Sequence, residues 1–390
     1  MPAGIYTLTL RGAEEDAAVS GDLDLRSDMA IYGASPGSTI VDGAGADRAF
    51  DILTGSVRLT GLTIRGGAAT NGGGIRNAGA LMLVGSEVLS NTALASAGGE
   101  GGGIVNTETG QLVVQRTTIA GNRAAARGGG LSSHGQATLT NTTISGNQAV
   151  HHGGGLLVDG GSVAIDGGTI VFNDADSDAD GLGNGWGVRV QGASDVFTFT
   201  HTILASNRAR GRSGSTADCS QAVAGALRSG GYNLTGAGAG CPVAGAGDRT
   251  MPSDAVLGQG VLPLDVDAGA PPIHPLADGS PALDAGPCDL ADDQRAAPRP
   301  ADACDSGAYE RQPVELGIAI DLAGGVVAPG RPFSYTLAFA NRSRDAIAGA
   351  VVISHAIPVT LTDVHVEGAA AEGRVHAEGA DLWQMGDLLP

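Results

Sequence analysis

Between Val57 and Ala209 the chain repeats one short hydrophobic phrase six times. Each copy opens with two apolar residues flanking a variable one: Val57 and Leu59, Leu81 and Leu83, Leu112 and Val114, Ala137 and Leu139, Val163 and Ile165, Phe197 and Phe199. A single aliphatic follows in each copy, at Ile64, Val88, Ile119, Ile144, Ile170 and Leu204. Three residues later stands an anchor: Gly67, Asn91, Asn122, Asn147, Asn173 or Asn207. Two residues beyond each anchor is an alanine, from Ala69 to Ala209. Apolar residues at alternate positions mark a short strand with one buried face, and no window shows helical periodicity.

The anchors recur at intervals of roughly 24 to 34 residues, the span of stacked repeat units. Between them lies a glycine-led run, as in Gly72-Gly73-Gly74-Ile75 and Gly153-Gly154-Gly155-Leu156. Each unit therefore predicts three short extended runs separated by turns, which stack into an all-β, three-sided parallel β-helix. Successive coils should rise by about 4.8 Å, the ordinary strand spacing. Asn and Gly alternate at the anchor because both tolerate a left-handed backbone, so a sharp bend is expected there. Stacked amides predict a structural ladder through Asn91, Asn122, Asn147, Asn173 and Asn207, as in cross-β stacks. The alanine marks a turn with room for one methyl group.

The texture changes twice. Residues 1–216 read as β-helix coils, the first of them less regular, with Leu23 and Leu25, then Met29 and Ile31, then Ile40. Residues 217–312, rich in Pro, Gly and Asp, read as the terminal, disulfide-bearing region of the β-helix. From 313 to 390 alternation returns at Leu316, Ile318 and Ile320. It continues after Pro329-Gly330 at Phe333, Tyr335, Leu337 and Phe339, and Val351 to Ile353 and Trp383 follow. That spacing predicts a small, incomplete Ig-like β-sandwich. With no cap before Ile5 and an abrupt stop at Pro390, the chain reads as a fragment of a longer protein.

Glycine supplies 65 of 390 residues, far above the usual share of about 7%, as a chain of many turns requires. Aromatics are scarce because a narrow solenoid is filled by Val, Ile, Leu and Ala. A net charge of −19 argues against nucleic acid or an anionic membrane as partner. No apolar run is long enough to span a bilayer. The four cysteines fall as two local pairs, Cys219 with Cys241 and Cys288 with Cys304, without zinc-type spacing. Local pairs in loop-rich sequence predict disulfides in an oxidising compartment, against the alternative of reduced thiols in small cores.

Thr142-Thr143-Ile144-Ser145-Gly146-Asn147 resembles the coils of bacterial right-handed parallel β-helix proteins of the pectin-lyase-like superfamily. Gly279-Ser280-Pro281-Ala282-Leu283-Asp284-Ala285-Gly286 is similar to a hallmark of the choice-of-anchor Q surface proteins. So are Asp293-Gln294-Arg295, Arg299-Pro300 and Cys304-Asp305-Ser306-Gly307-Ala308-Tyr309-Glu310. Val327-Ala328-Pro329-Gly330 with Phe333-Ser334-Tyr335-Thr336-Leu337 resembles Ig-like repeats of bacterial surface proteins. The resemblance implies a right-handed solenoid, export and display at an extracellular or cell-envelope location. It implies no particular reaction.

Loops after the anchors should project along one edge, carrying Glu100, Arg123, Arg127, His151, His152, Arg208, Arg210 and Arg212. The same edge carries the sharpest local motif, Asp174-Ala175-Asp176-Ser177-Asp178-Ala179-Asp180-Gly181. Carboxylates at every second position before a glycine suit calcium, a hard cation that wants converging oxygens. Asp174, Asp176, Asp178, Asp180 and Asn184 are the expected ligands. In an EF-type frame opened at Asp176, position twelve is Gly187 instead of the bidentate Glu, and no helices flank the loop. The alternative is a solvated acidic insert. The motifs of polygalacturonases are missing, and fold alone licenses no enzyme. The expectation is an exported surface protein for structure or adhesion, binding carbohydrate or protein without catalysis. The competing expectation is a polysaccharide lyase or glycoside hydrolase on the β-helix face.

Overall fold

A computed structural model describes residues 1–10, 12, 16, 19–95, 98–209, 218–236, 240–251, 264, 270–277 and 279–312. It further describes residue 331 and the strands within 316–323, 334–341, 348–356, 374–377 and 380–388. Strands are the only regular elements among them. The chain divides into two compact units, Met1–Glu310 and Arg311–Pro390.

The first unit is a parallel β-solenoid of about 8 turns. In each full coil the chain passes through four stacks in a fixed order. The first stack has 8 strands, from Leu23–Leu25 to Cys219–Gln221; the second also has 8, from Met29–Tyr32 to Leu227–Gly231. The third has 10, from Gly4–Thr7 to Arg249–Met251, and the fourth has 6, from Ala68–Ala69 to Arg208–Ala209. The three runs expected in each coil are present; a fourth, two-residue strand is added just past the anchor. From Ser56–Thr60 to Val196–Thr200 each strand of the second stack sits on its homologue in strict register, Leu81 on Val57 and under Leu112, Leu83 on Leu59 and under Val114; the register slips only at the final pair, after Phe199. Identical positions therefore form apolar columns, and the interior is one continuous core of buried Val, Leu, Ile and Phe. Phe197 and Phe199 widen it near the end, their rings stacked at 5.6 Å.

The asparagine ladder runs the length of the regular coils. Nδ2 of Asn91, Asn122 and Asn147 each donates to Oδ1 of the next asparagine at 3.0 Å, and Asn173 to Asn207 at 2.9 Å. Each Oδ1 also accepts the backbone N–H of the anchor before it, as in Asn122 N to Asn147 Oδ1 at 3.0 Å. The same Nδ2 reaches back to the carbonyl of the third-stack aliphatic one coil earlier, Ile119 O for Asn147 at 2.9 Å. Every rung is thus satisfied inside the core, where an unpaired amide would be costly.

The left-handed bend lies elsewhere than the sequence suggested. It falls one residue before the anchor, at Gly66, Ser90, Gly121, Gly146, Phe172 and Ser206 (φ 55–64° throughout). The anchor itself has ordinary φ; it is Asn because its side chain must point along the axis. The last glycine of each triplet faces the ladder: a Cβ on Gly130 would stand 2.9 Å from Asn147 Nδ2. Triplet and anchor are therefore one packing unit.

Residues 271–277 and 279–310 lie against the outer face of the third stack. Gln294 spans two coils, Nε2 donating to Thr118 Oγ1 at 2.7 Å while Oε1 accepts from Thr143 Oγ1 at 2.7 Å. Ala308 N donates to Thr169 Oγ1 at 2.9 Å, Gly307 N to His201 O at 2.7 Å and Ser306 Oγ to Tyr232 O at 2.7 Å. Ile273, Leu276, Ala282, Ala308 and Tyr309 bury themselves against Val171, Ile203, Ala205 and Leu234. This strap is a second core outside the barrel of the coil. Both expected disulfides are present, Cys219–Cys241 and Cys288–Cys304, with Cα separations of 5.0 and 6.0 Å.

In the second unit, Leu316–Ala323 and Ser334–Asn341 pair antiparallel, as the strand–turn–strand pattern predicts. Arg374–Ala377, Ala380–Leu388 and Ala348–Ala356 form a three-stranded antiparallel sheet that includes Val351 to Ile353 and Trp383. The turn at Pro329-Gly330 and Phe333 lie outside the described residues.

Candidate functional site

The loops after the fourth stack do line one edge. Ala126 N donates to Gly99 O at 2.9 Å, His151 N to Ala126 O at 2.8 Å and Asp176 N to His151 O at 3.3 Å, coil upon coil. Most charges there answer one another. Arg127 pairs with Glu100 and lies 3.3 Å from Asp159 Oδ2. His134 Nε2 meets Glu100 Oε2 at 2.9 Å, and its Nδ1 meets Asp159 O at 2.6 Å. The hydrogen bond to Glu100 raises the His134 pKa above its ordinary range, against the opposing effect of burial. Burial alone would raise Glu100, but His134 and Arg127 together outweigh it and lower the pKa. Sequence reading missed His134 because it sits past the loop, in the turn after the first-stack strand Leu131–Ser133, and only coil register brings it to Glu100. Arg123 and Arg208 are exposed at the starts of their strands; Arg210 and Arg212 lie outside the described residues.

The acidic loop is the exception to this mutual pairing. Asp174 belongs to the fourth stack, buried in register between Gln148 and Arg208. Asp176 then enters the left-handed region (φ 58°), as do Ala179 (64°) and Gly181 (83°), so the loop coils tightly on itself. Asp176 O accepts Ala179 N at 3.0 Å and its Oδ1 accepts Gly181 N at 2.9 Å; Asp180 Oδ1 accepts Leu182 N at 2.8 Å. One oxygen from each of Asp176, Asp178 and Asp180 lies within 4.8 Å of the other two. Asp178 and Asp180 are exposed, whereas Asp176 is 0% exposed and its Oδ2 has no hydrogen-bond partner. The four aspartates expected together are thus three, with Asp174 held in the strand.

Asn184 pins the far end of the loop. Its N–H donates to His152 Nδ1 at 3.1 Å and its carbonyl accepts Gly153 N at 3.1 Å. Burial, then the positive charge of Arg189, lowers the His152 pKa, as suits a ring nitrogen that accepts a hydrogen bond. Trp186 follows, buried against Ala175 and Ala209.

A surface depression of about 320 Å³ near the first and second stacks is lined by Glu108, His134, Gln136, Ser162, Ser194 and Asp195 among others. Its carboxylate Asp195 accepts Gly160 N at 3.0 Å and Gly192 N at 2.5 Å, and so closes a turn. His134 is already engaged on both ring nitrogens. The motif residues of 293–310 are likewise architectural. Asp293 Oδ2 binds Arg295 Nη2 at 2.6 Å and Glu310 N at 3.0 Å, while Arg299 Nη1 binds Glu310 Oε2 at 2.8 Å. The Arg295 guanidinium lies 4.0 Å over the Tyr309 ring. These groups lock the strap to itself and, through Arg299 Nη2 and Asn141 Oδ1 at 3.3 Å, to the coils. Neither family models, curated proteins nor solved structures give a match to this chain.

Proposed function

We propose that this chain is a structural, adhesion-type part of an exported bacterial cell-surface protein, a stiff solenoid that presents its edges to extracellular carbohydrate or to a neighbouring protein. The observation that carries the reading is the strap. Thr118, Thr143 and Thr169 line the outer face of the third stack, a flat ladder on which a polysaccharide could lie. All three spend their hydroxyls on the strap instead. At the coil edge Glu100, Asp159, Arg127 and His134 answer one another and His152 is tied to the backbone, which supports a reading without catalysis. Two disulfides in loop-rich sequence support an oxidising, extracellular location. Resemblance of the motifs to choice-of-anchor Q proteins and of the last unit to Ig-like repeats supports display on an envelope. A glycan array run in parallel with a product assay tests it. Binding without turnover is expected; unsaturated or new reducing ends would overturn the reading in favour of a lyase or hydrolase.

A further inference from the structure

We infer that the turn closed by Asp176, Asp178 and Asp180 is a calcium site. Three carboxylates whose oxygens lie within 4.8 Å of one another repel, and the repulsion grows where water is excluded. Ordinary acidic turns avoid this by pointing their carboxylates apart into solvent. Here the opposite is built: the left-handed residues at 176, 179 and 181 curl the loop so that its carboxylates converge. Asp176 is the telling member. It is fully buried, one oxygen takes a single backbone N–H, and the other has no partner. A buried carboxylate left half-satisfied is unfavourable unless a proton or a cation completes it, and two further carboxylates converging beside Asp176 favour a cation.

The geometry suits a large, hard ion. Calcium binds oxygens at about 2.3–2.6 Å, so two oxygens on opposite sides of one ion stand roughly 4.8 Å apart. Three oxygens within 4.8 Å of one another have a common centre within about 2.8 Å of each, so small side-chain rotations bring all three onto a single ion, and water or backbone carbonyls can complete the usual 6–8 oxygens. The exposed positions of Asp178 and Asp180 leave an open path for exchange with solvent.

The structure also explains why the EF-type frame breaks off. Position twelve is Gly187, the last residue of a coil triplet, where a Cβ would stand 2.7 Å from Asn207 Nδ2. No glutamate fits there without breaking the ladder. The site consequently lacks a bidentate ligand, and its affinity belongs to the weak extracellular range, with Kd roughly 10⁻⁴ to 10⁻³ M. This inference is independent of the proposed surface role; a calcium-free adhesin and a calcium-binding enzyme are both conceivable outcomes.

The test uses the full chain stripped with a chelator, titrated with calcium chloride by calorimetry and followed by thermal melting. Asp178→Asn and Asp180→Asn are the variants, since both side chains are exposed and neither change should disturb folding. One calcium per chain is expected, with a higher melting temperature. Calcium at about tenfold its Kd multiplies the folded-to-unfolded ratio by about elevenfold. Each variant should weaken binding at least tenfold, and magnesium at equal concentration should bind less tightly. Absence of heat and of a melting shift at 10 mM calcium (about ten times the weakest expected Kd) would overturn the inference. So would a rise of equal size in the wild type and both variants, because the ion would then sit elsewhere.

Discussion

The asparagine ladder ends on an acid, and Asp218→Asn is the substitution that most directly probes it. Asp218 Oδ1 takes the place of the next rung, accepting Asn207 N at 2.7 Å and Asn207 Nδ2 at 2.8 Å. Its Oδ2 is buried without a partner. Burial raises the carboxyl from 3.8 to about 7, even though the two Asn207 hydrogen bonds pull the other way. With the folded pKa above the unfolded value, the fold binds the extra proton. Stability is then highest below pH 3.8 and falls as the pH rises through about 7. The loss at pH 8 is about 4 kcal/mol, of which about 2–3 kcal/mol accrues between pH 5 and 8, as orders of magnitude. Asparagine keeps the acceptor and cannot ionise. Urea denaturation of both proteins at pH 5 and pH 8 isolates this effect, since all other titrating groups cancel in the comparison. Asp218→Asn should gain about 2–3 kcal/mol on the wild type between the two pH values. A stability difference independent of pH would refute the buried, neutral acid.

Asn147→Ala deletes both sides of a rung and strands Ile119 O and Asn122 N, so a loss of about 3–5 kcal/mol is expected. His152→Ala removes one acceptor from Asn184 N and should cost about 1 kcal/mol; equal melting temperatures for the two variants would count against the ladder. Arg299→Ala removes a buried guanidinium that binds Glu310, Asp305 O and Gly307 O and should destabilise by about 3–5 kcal/mol, read by chemical denaturation. The raised pKa of His134 makes its bond to Glu100 a contribution fully present below pH 6.5 and lost as the pH rises through the folded value. His134→Gln should remove that pH dependence, and an unchanged profile would show that the pair is inert.

The coil was legible because a solenoid writes its geometry into the chain one turn at a time. Ile119, Ile144 and Ile170 face inward for the same reason in every copy, and Asn122, Asn147 and Asn173 can be recognised as a ladder from recurrence alone. The exact seat of the left-handed residue was not legible. Ser90, Phe172 and Ser206 occupy it alongside glycines, so composition at that position carries little signal. The two-residue strands were hidden for a related reason: Ala93 and Ala124 look like turn residues until the next coil pairs with them. The site was legible only where it is local. Asp176, Asp178 and Asp180 lie in one short loop, whereas the Glu100–His134 pair and the strap depend on residues brought together across coils. The motif Asp293-Gln294-Arg295 could be seen, but not that Gln294 bridges Thr118 and Thr143.

The strap also fixes an order of events. Its bonds to the third-stack strands between Thr118 and Thr169 join residues 129 to 176 positions apart in the chain, as in Ser145 with His274 and Thr118 with Gln294. Neighbouring coils meet across only 24 to 34 positions. Loop-closure entropy therefore favours the coils first, and the strap can find its threonines only after the coils that carry Thr118, Thr143 and Thr169 stand in register. Interactions that form after the folding barrier slow unfolding without slowing folding. For a chain that emerges progressively and must then persist, the returning segment acts as a latch: absent while the solenoid assembles, and the first thing that must release before it comes apart.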